Sequence, residues 1–69
     1  MKDVNYDLIE LLHTKLDTVA KLEDHFIEDA KVAKCHSEPA LKKILQDEKE
    51  HVKALREEIQ MRVKADIFD

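Results

Sequence analysis

The chain has no glycine, no tryptophan, one proline and one cysteine, and only 4% of its 69 residues are aromatic. Turns that require positive φ therefore have few natural sites, which argues against an architecture of many strands and hairpins. A single thiol, Cys35, closes no internal disulfide and fits a reducing compartment. No apolar run approaches the roughly 20 residues that span a bilayer, and the opening MKDVNYD is unlike a signal peptide. The net charge is −4, and the lysines are interleaved with acids rather than massed on one face. That excludes the basic footprint of a nucleic-acid-binding surface. A cytoplasmic chain, off the membrane, is expected.

What is abundant is charge, at 41% of the residues. High charge with few aromatics is the composition of long helices laced with ion pairs. Sixty-nine residues make one small all-α domain, near the lower limit at which a single core supports itself. Asp3, Asn5 and Asp7 are the candidates to cap a first helix over about residues 4–34. Its seam is read at Ile9, Leu12, Leu16, Val19, Glu23, Phe26, Ala30 and Ala33, in steps of three and four, with Asn5 in phase upstream. Leu8, Leu11 and Leu22 widen the apolar face, and a wide face touches more than one neighbour. The only break is Lys-Cys-His-Ser-Glu-Pro, so a turn is placed at about 35–38 with Pro39 in the first turn of a second helix over about 39–66. So short a break makes an antiparallel hairpin, and two hairpins forming a four-helix bundle would cover the wide face.

The second helix has a seam at Leu41, Leu45, Glu48, Val52, Leu55 and Ile59. Glu48 keeps the rhythm but is a carboxylate in an apolar stripe, which is costly unless something neutralises it. His51, three residues on, projects from a neighbouring position. With the turn near residue 36 or 37, Glu23 falls at the same height. Two carboxylates and an imidazole then converge, and dimerisation would double them. Such a group must hold protons or cations.

Those residues resemble the di-iron carboxylate proteins of the ferritin-like and rubrerythrin-like class, in which two helices each give a glutamate and two others each give Glu-x-x-His. The stretch from Leu41 to His51 is similar to the second helix of a rubrerythrin-type half-bundle, and the pattern covers about residues 9–63. The resemblance implies a metal site of Glu23, Glu48 and His51 shared between two chains, with two Fe per dimer. Glu48 would be the bridging ligand and His51 the nitrogen donor. Mn or Zn would also suit carboxylate and imidazole. It further implies oxidation of Fe(II) by oxygen or peroxide, a ferroxidase-type oxidoreductase activity serving iron storage or peroxide removal. The family's usual spacing, counted back from Glu48, falls near Thr18, but helical phase favours Glu23.

A second function class uses the same residues without metal. Glu48 can fix register as lone polar seam positions do, Glu23 can reach water along its stem, and His51 can bond Glu48. The product is then a helical oligomerisation module. His25 points off the seam, His13 is marginal and His36 lies in the turn. Arg62 is in phase with the second seam and is paired with Glu10 in this reading. The tail from Lys64 to Asp69 is read as a frayed end or as a docking peptide for a shell or partner protein.

Overall fold

The computed structural model describes residues 3–34 and 36–68. Three α-helices and one π-helical turn make two antiparallel rods, and no strand occurs among the described residues. The first rod runs through α1 (Asp3–Lys21), a π-helical turn (Leu22–Phe26) and α2 (Ile27–Val32). The second is α3 (Ser37–Lys64). The hairpin is a bar of 49 × 16 × 14 Å. No helix among the described residues is long and apolar enough to cross a membrane.

On α3 the expected seam is the observed one, with Leu41, Leu45, Glu48, Val52, Leu55 and Ile59 all half-buried. On the first rod the seam is rotated by one position. Asn5, Leu8, Leu12, Lys15, Val19 and Leu22 turn inward, whereas Ile9, Leu16, Glu23, Phe26 and Ala33 are exposed. Leu22 thus finds its cover inside the hairpin, at 2% exposure, rather than from a second copy.

An inward Leu22 in uninterrupted α-helix would be followed on that face by His25 and Phe26. The π-helical turn changes this. The Ile27 N–H donates to the Leu22 carbonyl, five residues back, so Ile27 and Ala30 become the next buried side chains. The approach to this turn is also marked locally. Thr14 Oγ1 donates to the Glu10 carbonyl at 3.1 Å and Thr18 Oγ1 to the Thr14 carbonyl at 3.0 Å, back-bonds of the kind that bend helices.

Both helix ends need a residue in the left-handed region, and with no glycine the chain uses Lys34 (φ 52°) and Asp66 (φ 58°). The Lys34 N–H donates to the Lys31 carbonyl at 3.1 Å, closing the first rod. At the far end the Asp66 N–H reaches the Val63 carbonyl and the Ile67 N–H reaches the Arg62 carbonyl, the double bond of a Schellman cap. The helix start after the turn differs by two residues from expectation: Ser37 is already helical, and Pro39 sits in the first turn as anticipated. Cys35 lies outside the described residues.

The open end of the hairpin is tied by Asn5, which is fully buried. It lies inside α1 and is not its cap. Its Oδ1 accepts from Arg62 Nε at 2.7 Å, and its Nδ2 donates to the Ile67 carbonyl at 3.1 Å. Arg62 therefore pairs with Asn5 and not with Glu10. The end of the chain folds back on the hairpin, with Ile67 and Phe68 half-buried.

Replacing Asn5 with Ala leaves the half-buried Arg62 Nε–H without its acceptor, so Asn5→Ala should lower the unfolding free energy by about 2 kcal/mol in urea titration. Lys34→Gly should raise it by about 1 kcal/mol, because glycine enters the left-handed region without a Cβ clash.

Candidate functional site

The half-buried acid in the α3 seam is neutralised by a cation from the same chain. Lys15 Nζ donates to Glu48 Oε1 at 3.0 Å across the two rods. One turn along α3, His51 Nδ1 lies 3.2 Å from the same oxygen. The Glu48 side chain retains 13% exposure and that of Lys15 26%, so this bond is largely sheltered, while His51 stands half open to solvent. The bond from Lys15 holds the Glu48 carboxyl below its ordinary value of 4.5, against the opposing effect of desolvation, and His51 adds to the lowering.

The seam that begins at Ile9 does not include Lys15. The signal was present nonetheless: Leu8, Leu12, Lys15, Val19 and Leu22 form a three-and-four series as regular as the one beginning at Ile9. Taking Leu22 rather than Glu23 as the inward residue selects it.

Glu23 is placed elsewhere. Its carboxylate is half exposed, and Glu23 Oε2 lies 3.9 Å from Lys49 Nζ. Lys49 and His51 are two residues apart, about 200° around the helix, so they flank the seam on opposite sides. Within one hairpin the structure thus brings Glu48 and His51 together and pairs Glu23 with Lys49. Among the described residues no three His, Cys, Asp or Glu side chains gather closely enough to hold a metal ion. One chain alone does not supply the ligand set that two iron ions require, and Lys15 and His51 both meet Glu48 at the same oxygen, Oε1.

The remaining polar pairs are solvated supports within single helices. Lys42 bonds Glu38 at 2.9 Å and lowers its carboxyl pKa, Lys43 bonds Asp47 at 2.7 Å, and Lys21 bonds Asp17 at 3.0 Å. Glu38 also stands in the first turn of α3, where an acid complements the helix dipole. His13, His25 and His36 are all exposed, and Thr18 is half-buried with its hydroxyl spent on the backbone.

No protein-family model matches the chain, and no curated protein and no solved structure matches it either. The ferritin-like resemblance therefore rests on Glu23, Glu48, His51 and the seams alone.

The lowered pKa of Glu48 has a definite consequence for stability. Its contribution is complete above the ordinary carboxyl value of 4.5 and is lost as pH falls through the depressed folded value. The urea midpoint of the wild type should fall between pH 5 and lower pH more steeply than that of Glu48→Gln. Lys15→Met should destabilise the hairpin by leaving Glu48 without its cation, and Lys15→Met combined with Glu48→Leu should recover most of the loss.

Proposed function

We propose that the chain is a self-associating helical module whose working form is a bundle of two hairpins. One observation carries this reading: Ile9 and Leu16, seven residues apart on one stripe, remain 42% and 48% exposed after the hairpin has closed. Aligned apolar side chains left open on a monomer's surface mark an interaction site. The internal Lys15–Glu48 pair then sets register and orientation, the best-attested use of lone polar seam positions.

A second reading is favoured by the contact of Glu48 and His51 on one oxygen. In a ferritin-like dimer each chain would offer this carboxylate and imidazole, with Glu23, toward two shared Fe ions, and Mn or Zn would suit the same donors. Lys15 would have to leave Glu48, and Glu23 would have to reach the His51 side of the seam. Fe(II) held there would be the substrate oxidised by oxygen or peroxide, as in a ferroxidase-type oxidoreductase. A docking role for the tail, toward a shell or partner protein, would likewise require Ile67 to leave Asn5.

Sedimentation velocity over micromolar concentrations tests the first reading, which expects a species of twice the 8.1 kDa chain mass. A monomer at every concentration would contradict it. Anaerobic Fe(II) titration of the same sample separates the two. The module expects no saturable binding, whereas a shared centre expects saturation near one iron per chain that Glu48→Ala abolishes.

A further inference from the structure

A hairpin this thin exposes more surface than its mass requires. The chain presents 5215 Å², whereas a compact monomer of 8.1 kDa presents about 4,500 Å². The excess, about 700 Å², is close to the roughly 800 Å² that one partner buries in a standard interface. The radius of gyration agrees, at 15.3 Å against about 11 Å for a compact chain of this length.

The two flanks of the seam are not alike. One is marked by the ion pair of Glu23 with Lys49. Ile9 and Leu16 share the heptad stripe of Glu23, and Arg56 and Val63 share that of Lys49, so all six residues border this flank. Between the rods here lies an open groove lined by Leu12, Arg56, Ile59 and Gln60. Acid stands on the first rod and base on the second, and among the described residues no acid pairs with Arg56. The opposite flank carries His51 and Ile44, seven residues apart on α3, and Leu11 on α1.

Resting on the self-association proposed above, we infer that a second copy of this chain docks on the flank of Ile9, Leu16 and Glu23. A two-fold axis that lays the first rod of each copy over α3 of the other brings Ile9 and Leu16 onto the apolar groove. The same arrangement sets Glu23 of one chain level with Lys49 of the other, in both halves of the dimer. The face is thus self-complementary in shape and in charge, as a two-fold interface must be. The Glu48–His51 contact stays outside it.

The test is the dimer dissociation constant by sedimentation equilibrium, with circular dichroism to verify helicity. Leu16→Glu and Ile9→Lys, both at exposed positions, should each weaken the dimer about 100-fold. Leu11→Glu and Ile44→Glu on the other flank should leave it within about threefold. Glu23→Lys and Lys49→Glu should each weaken it about tenfold, and the two together should restore part of the loss. A dimer that survives Leu16→Glu and Ile9→Lys but is lost in Ile44→Glu would overturn the choice of face while self-association stands. A wild type that is monomeric throughout would overturn both.

Discussion

The bond from Lys15 to Glu48 is the constraint around which the hairpin is arranged. A glutamate in the middle of an apolar seam must be protonated, paired or metal-bound, and here an ammonium from the facing rod pairs it at 3.0 Å. For Lys15 to face α3, the first rod must present Leu8, Leu12, Val19 and Leu22 as its inner stripe. That choice sends Ile9, Leu16 and Glu23 outward. It also leaves Ile27 and Ala30 out of phase with an unbroken α-helix, and the π-helical turn from Leu22 to Phe26 restores them to the core. The register so set is locked at the open end by Asn5, which holds both the last turn of α3 and the backbone beyond it.

Much of this was legible in the sequence. The two rods, the turn before Pro39 and every seam position of α3 follow from periodicity, since α3 is one regular helix over its whole length. The first rod was misjudged by one position because it contains two interleaved three-and-four series sharing Leu12 and Val19. Apolar content favours the series with Ile9 and Leu16, whereas burial of Leu22 and Ile27, five residues apart, favours the other. A five-residue step is invisible to a reading that admits only steps of three and four. The partnership of Arg62 was missed for a related reason. A charged pair with Glu10 looked natural on charge alone, but Asn5 can accept from Arg62 while donating to the Ile67 carbonyl, which an acid cannot do.

The site residues divide in the same way. Glu48 and His51 were expected together and are together, because three residues on one helix fix their spacing whatever the partner does. The place of Glu23 depended on the phase of the first rod, and the phase is set by tertiary packing rather than by local propensity. The structure leaves a hairpin with its interior acid neutralised from within and apolar side chains uncovered on its flanks, and that combination suits assembly with another copy of itself.

The most direct measurement is a carbon-13 titration of the Glu48 side-chain carboxyl by NMR in the wild type and in Lys15→Met. A paired carboxylate predicts a midpoint below the ordinary value of 4.5 in the wild type and an upward move in the variant. A wild-type midpoint at or above the ordinary value, unmoved by loss of Lys15, would contradict the ion pair and with it the phase of the first rod.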